Sequence, residues 1–346
     1  LSEQKIKKKK AIIGITMGDP AGIGAEIIVK ALSRKGIYQR SRPVVIGSQE
    51  VMEDAIRFTN LPLELNCIEN ISLLNDEYGT IDLINLDNIK LADFKYGEVS
   101  AKTGQASLDY IYKGIELAMA KKIDAVVTGP IHKESIQKAG SPYAGHTEIF
   151  ATQTGAKDYA MMLADKHFRV IHVSTHVSLR KACDLVKRER VLTVIRLADK
   201  ALQDLGISKP KIGVAGLNPH AGEEGLFGSE EIEEIIPAIN EARKEGINVE
   251  GPVPPDTIFS KVMGKQYDIA VAMYHDQGHI PMKVMGFKYD KKTNKWSSMS
   301  GVNITVGLPI IRTSVDHGVA FGKAGQGRAN EESMVEAINM AIQFVH

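Results

Sequence analysis

Ten histidines are spread through the 346-residue chain, and three of them, His176, His220 and His275, stand just after short β-branched runs. Their separations of 44 and 55 residues exclude a local metal motif, yet parallel strands can carry such loops to one edge of a sheet. Three neutral imidazoles suit zinc, or another borderline divalent ion, with a position left open for a substrate oxygen. Taken singly, each histidine is more simply read as a hydrogen-bonded partner to a turn; taken together, the metal site leads. A second set of residues suits an anion. Lys283, Asn303 and Arg312 lie among apolar neighbours in the last third of the chain, where a cation usually has an anionic partner. That partner is a phosphate or carboxylate of a ligand, or equally an acidic side chain. Gly145-His146-Thr147-Glu148 adds an imidazole, a hydroxyl and a carboxylate at what reads as a helix start, where Thr147 is equally a cap.

Two glycine-bearing loops belong with these. Residues 18–24, Gly-Asp-Pro-Ala-Gly-Ile-Gly, follow a strand and open a helix, so free N–H groups could face an anion. Their spacing fits neither the dinucleotide fingerprint nor a P-loop, and Asp19 would repel a phosphate; a turn held by Asp19 is the alternative. Thr313-Ser314-Val315-Asp316-His317-Gly318 suits nucleotide contacts without being diagnostic.

The elements that must position these residues alternate from end to end. Apolar β-branched runs at 11–16, 43–47, 81–86, 125–128, 169–174, 211–215, 269–273 and 303–307 predict strands, and most lack polar alternation, as in sheets covered on both faces. Apolar residues recurring at three and four predict helices over 24–32, 104–120, 190–205, 230–244 and 331–345. The class is α/β with mostly parallel strands, and the chemically loaded loops leave the carboxyl ends of those strands. The polar stretch 288–300 reads as an exposed hairpin or loop.

Composition narrows the function. With 43 basic and 42 acidic side chains the net charge is +1, so no overall field attracts nucleic acid or an anionic membrane, and affinity for anions must be local. Two cysteines, Cys67 and Cys183, build neither a disulfide framework nor a thiolate zinc site, which fits a reducing, cytoplasmic setting. The apolar runs fall far short of a membrane span, and the lysine-rich start reads as a solvated tail rather than a targeting signal.

Taken with the motifs Gly216-Leu217-Asn218-Pro219-His220-Ala221-Gly222-Glu223, Tyr274-His275-Asp276-Gln277-Gly278 and Gly301-Val302-Asn303-Ile304-Thr305, these residues resemble the 4-hydroxythreonine-4-phosphate dehydrogenase (PdxA) family from about Gly14 to the last helix. The resemblance implies a two-domain α/β fold like that of isocitrate and isopropylmalate dehydrogenases, with the active site in the interdomain cleft. It implies a homodimer with shared active sites, and NAD- and metal-dependent oxidative decarboxylation. Residues 1–130 with 304–346 are the expected first domain; 131–303 is the second, carrying most metal and substrate positions and the dimer interface. His176, His220 and His275 align with metal ligands drawn from both subunits, zinc first, with magnesium, manganese or cobalt as alternatives. His146, Thr147, Lys283, Asn303 and Arg312 align with substrate contacts. Asp256, Asp276 and Lys283 are candidates for proton transfer, and Thr313, Ser314, Asp316, His317 and Gly318 for the cofactor. The chemistry is a hydride transfer from C3 of a 3-hydroxy acid to NAD, followed by loss of carbon dioxide through an enolate that the ion stabilises. Two departures, His279-Ile280-Pro281-Met282-Lys283 and the segment 288–300, look like the branch acting on 4-phosphorylated D-threonate or D-erythronate rather than on 4-phosphohydroxy-L-threonine. The alternatives are an aromatic cis-dihydrodiol carboxylate dehydrogenase and a non-catalytic metabolite-binding protein.

Overall fold

In a computed structural model of the chain, residues 10–286, 289–291, 295–296 and 301–346 are described. The strands are β1 (Ala11–Thr16), β2 (Ser41–Gly47), β3 (Glu64–Cys67), β4 (Thr80–Asn85), β5 (Ala125–Thr128), β6 (Ala160–Ala164), β7 (Arg169–His172), β8 (Ile212–Ala215), β9 (Val249–Val253), β10 (Ile269–Ala272), β11 (Tyr289–Asp290), β12 (Lys295–Trp296), β13 (Val302–Val306) and β14 (Ile311–Val315). The chain forms two compact units, residues 1–146 with 310–345, and residues 147–309 with His346. The crossings lie later in the chain than the boundaries near 130 and 303 expected from sequence.

The first unit carries a wholly parallel sheet in the order β3-β4-β2-β1-β5-β14. Its middle strands are buried along nearly their whole length, β1 as Ala-Ile-Ile-Gly-Ile-Thr and β5 as Ala-Val-Val-Thr, as a sheet covered on both faces requires. The helices Ala101–Met119 and Glu332–Val345 pack with it, each burying one apolar face, while Gly24–Leu32 is buried at every residue but Lys30.

The second unit carries a mixed sheet in the order β13-β6-β7-β10-β8-β9. β6 runs antiparallel to both neighbours, while β7, β10, β8 and β9 are parallel. The α/β class with mostly parallel strands therefore holds. Beside β10 a core of Leu163, Phe168, Val170, Ile258, Val262 and Met282 anchors the strands from which the histidine loops depart.

Four strands escape the periodicity argument. β3 is exposed or half-buried, β6 is built from Ala, Met and Leu, β9 contains Gly251 and Pro252 at the sheet edge, and β14 is interrupted by a buried arginine. The helix expected over 230–244 begins with a π-helical turn, Glu231–Ile235, before the α-helix Ile236–Lys244. In the polar stretch 288–300, β11 and β12 pair antiparallel and Lys291 is exposed, as expected; the other side chains of the stretch lie outside the described residues, as does the lysine tail before residue 10. Among the described residues, no helix is long and apolar enough to cross a membrane.

Candidate active site

The register of the second sheet brings the histidine loops to one edge. β7, β10 and β8 are parallel neighbours, so the segments carrying His176, His275 and His220 all leave from the same ends. The imidazoles of His176 and His275 lie 5.7 Å apart between ring centroids. A cavity of about 420 Å³ is lined by both, with Val177, Leu179, Ala182 and Tyr274.

His275 opens the helix His275–Gly286, and its Nδ1 lies 2.7 Å from Asp276 Oδ1. A carboxylate accepts only, so Nδ1 carries the proton and the Nε2 lone pair is left for a ligand role, the arrangement found behind metal-bound histidines. His279, one turn on, stacks on His275 at 3.6 Å and an interplanar angle of 11°, with its Nδ1 3.0 Å from the His275 carbonyl oxygen. Behind them His172, at the end of β7, is buried, its Nδ1 3.2 Å from the carbonyl oxygen of Met161. Burial above all, helped by the neighbouring His279, pushes His172 down to about 3, so it stays neutral.

His220 has a different setting. From His220 to Glu224 the backbone lies in the left-handed region, with φ between +42° and +82°. Four of these five residues are not glycine, a conformation costing roughly 1–2 kcal/mol each, so it persists only because its surroundings hold it. The buried carboxylate of Glu231 does part of this, accepting from Leu217 N at 2.7 Å, Asn218 N at 2.8 Å and Asn218 Nδ2 at 2.9 Å. The ring of His220 lies 6.1 Å from that of Phe227. Among the described residues no three His, Cys, Asp or Glu side chains close into one metal-binding group. The donor set nevertheless suits a borderline divalent ion, because His176 and His275 stand together and Asp276 fixes the tautomer of one.

The first unit holds a distinct anion-seeking arrangement. Arg312 sits within β14, 2% exposed, and donates through Nη2 to Thr128 Oγ1 at 2.8 Å. Burial lowers its guanidinium to about 9. His146 has a buried Nε2 without a hydrogen-bond partner, and burial, then the Arg312 charge, holds its pKa well below the usual histidine range. A neutral imidazole with an orphaned nitrogen beside a buried cation fits an anionic oxygen.

The remaining positions divide by setting. Thr147 is half-buried near the start of the helix His146–Thr154, Asn303 is half-buried on β13 opposite Leu163, and Lys283 is half-buried on the helix His275–Gly286. Asp256 is exposed in the turn after β9. Of the cofactor candidates, Thr313 is fully buried and gives its hydroxyl hydrogen to Ala337 O. Ser314 is buried, Asp316 is half-buried and donates its N–H to Ser333 Oγ, and His317 and Gly318 are exposed. The loop at residues 18–24 proves to be a structural turn. The N–H groups of Asp19, Ala21, Gly22 and Ile23 are taken by Pro130 O, Asp19 Oδ1, Asp19 O and Val319 O, and Gly18, at φ +80°, approaches Pro130 too closely for any Cβ. Sequence reasoning assigned no role to Gln277, which meets Gly216 61 residues away, or to Glu231, which meets Leu217 14 residues away.

Residues 39–341 match the family described as pyridoxal phosphate biosynthetic protein PdxA. The chain belongs to the PdxA family. A protein of Oceanobacillus iheyensis provisionally named D-threonate 4-phosphate dehydrogenase is 50% identical over 338 residues, 97% of this chain and 98% of its own. The crystal structure of 4-hydroxythreonine-4-phosphate dehydrogenase from Klebsiella pneumoniae is 41% identical, with a TM-score of 0.86 over 97% of this chain and 98% of that one. Terephthalate 1,2-cis-dihydrodiol dehydrogenase from Burkholderia xenovorans LB400 is more distant, at 29% identity and a TM-score of 0.67 over 97% and 98%. This PdxA-family chain is thus a dehydrogenase, an oxidoreductase.

Proposed function

We propose that this dehydrogenase carries out the NAD-dependent, divalent-metal-dependent oxidative decarboxylation of D-threonate 4-phosphate. The observation that carries the reading is the pairing of His176 and His275 at the edge of adjacent parallel strands. The chain that holds them is half identical, along almost its whole length, to the Oceanobacillus iheyensis protein provisionally named D-threonate 4-phosphate dehydrogenase.

His176 and His275 would hold the ion, and His220 of a second copy would complete the set, as the family resemblance implies; within one chain no three such side chains close into a metal-binding group among the described residues. A bound divalent ion supplies Lewis acidity that lowers the cost of negative charge on a substrate oxygen. Asp276 holds the His275 proton on Nδ1 and so orients the ligand; its bond to that ring makes orientation a better role for it than proton transfer. Proton transfer then falls to Lys283 or Asp256. Arg312 and His146 would bind an anionic group: the guanidinium supplies the charge, and the neutral imidazole, in the tautomer with its proton on Nε2, donates a hydrogen bond to it. Thr147, Asn303 and Lys283 are the further substrate contacts. Ser314, Asp316, His317 and Gly318 are proposed to meet the nicotinamide cofactor, with Thr313 holding their strand to the last helix. A homodimer is supported by large apolar side chains left exposed in the second unit, including Leu226 at 72% and Val284 at 73%.

The test is turnover by purified protein with NAD, a divalent ion and a panel of four-carbon acids, followed by nicotinamide absorbance and carbon dioxide release. D-Threonate 4-phosphate should give the highest kcat/KM, and the unphosphorylated acid should lose about a thousandfold or more, some 4 kcal/mol. Arg312→Ala should narrow that gap. Equal turnover of phosphorylated and free acids defeats the anion assignment, and preference for an aromatic dihydrodiol carboxylate would favour the relation to the terephthalate enzyme.

A further inference from the structure

Two of the candidate ligands, His220 and His275, lie on loops of neighbouring strands, β8 and β10, and one buried side chain spans them. Gln277 is 8% exposed. Its Oε1 accepts from Met273 N at 2.6 Å, and its Nε2 donates to Gly216 O at 2.9 Å. Met273 directly follows β10, two residues before His275, and Gly216 begins the loop that reaches His220 four residues later. The amide therefore fastens both loops at once.

We propose that Gln277 is a positioning residue that sets the His220 turn and the His275 turn relative to each other. This rests on the metal reading above. The chemistry of the two contacts demands an amide: one partner is an N–H that needs an acceptor, and the other a carbonyl that needs a donor. Glutamate, the same size, satisfies Met273 and then confronts the Gly216 carbonyl with a second acceptor. Nothing else described supplies that contact, because the group gripping the far side of the loop, the Glu231 carboxylate, only accepts, from Leu217 N and Asn218 N. The brace matters because the turn it fastens is left-handed from His220 to Glu224 and depends on its surroundings to stay so. Gln277 touches neither ion nor substrate in this role; it acts through the placement of two imidazoles.

The experiment compares wild type, Gln277→Glu and Gln277→Leu, with His275→Ala as a control. In metal-free protein, amide hydrogen exchange should quicken about tenfold or more in Gln277→Glu, both at residues 216–222 and at 273–276. Cobalt(II) titration should then show affinity weakened by roughly 10–100-fold, the usual scale for losing an outer contact of a metal ligand. Exchange that rises only at 273–276 would make Gln277 a local helix-start cap and overturn the proposal. So would cobalt affinity within about twofold of wild type with only the melting temperature lowered. If wild type and His275→Ala bind cobalt alike, the metal reading is what fails, and the exchange at 216–222 still decides the brace. Should Gln277→Leu not fold, the isosteric Gln277→Glu carries the test.

Discussion

In the second unit, three imidazoles each have Nδ1 against an oxygen: His172 against Met161 O, His279 against His275 O and His275 against Asp276 Oδ1. Of these His172 has the clearest thermodynamic signature. Burial lowers it from the usual 6.5 to about 3, so between those values the unfolded chain takes up a proton that the folded chain refuses. Stability is then greatest above pH 6.5 and falls as the pH drops through that window, by up to about 1.4 kcal/mol per unit. His172→Gln keeps an amide donor for Met161 and does not titrate. Urea unfolding of metal-free protein at pH 7, 5 and 4 should show the advantage of wild type over the variant shrinking as the pH falls; parallel curves would sink the assignment. At this scale the sequence was legible where chemistry follows position. His176, His220 and His275 could be picked out because each follows a strand, and Arg312 because a cation sat among apolar residues. Gln277, although it stands in the Tyr274–Gly278 motif, could not be given a role, since its partner Gly216 lies 61 residues away. The role of Asp276 was also hidden, because a carboxylate beside a histidine reads equally as acid, base or support.

At the scale of elements, the helix Gly24–Leu32 does more than cover the first sheet. Glu26, 1% exposed, accepts from Lys30 Nζ at 2.8 Å and from Ala329 N at 2.6 Å, and Lys30 also donates to the carbonyls of Gly327 and Ala329. One turn of helix thus clamps the chain that leads from β14 to the final helix. Lys30→Met removes the cation and leaves a buried carboxylate unpaired, which should cost roughly 3–5 kcal/mol. Adding Glu26→Gln should recover part of that loss, and urea midpoints of the two variants test it. If the single and double variants are equally destabilised, the pair is not coupled. The helix itself was legible from periodicity and starts and ends where expected. Strands β6, β9 and β14 were not, because tertiary burial overrides a weak local preference when neighbours supply the pairing. Met161 and Met162 have no branched carbon to signal a strand, and Pro252 is tolerated only because β9 is an edge.

For the whole molecule the first question is assembly. The site proposed above takes His176 and His275 from one copy and His220 from another, so each inactive variant should complement the other. Mixing His275→Ala with His220→Ala under conditions that exchange subunits should restore about a quarter of wild-type activity, because half the dimers are mixed and each mixed dimer keeps one intact site. Sedimentation should show a dimer throughout. No recovery in demonstrably mixed dimers would place all the ligands within one chain. The α/β class was legible from alternating patterns along the chain, whereas the crossing points at 146 and 309 were not, since neither carries a change of composition. That division has a consequence for synthesis. β14 completes the first sheet beside β5, yet 182 residues lie between Thr128 and Ile311. At the usual pace of a ribosome, roughly 5–20 residues per second, the nascent first unit waits some 10–40 s with the apolar edge of Ala125–Thr128 unpaired. During that interval the second unit has emerged in full, which makes the open edge of β5 the place where a chaperone, or a neighbouring chain on the same message, would find this protein first.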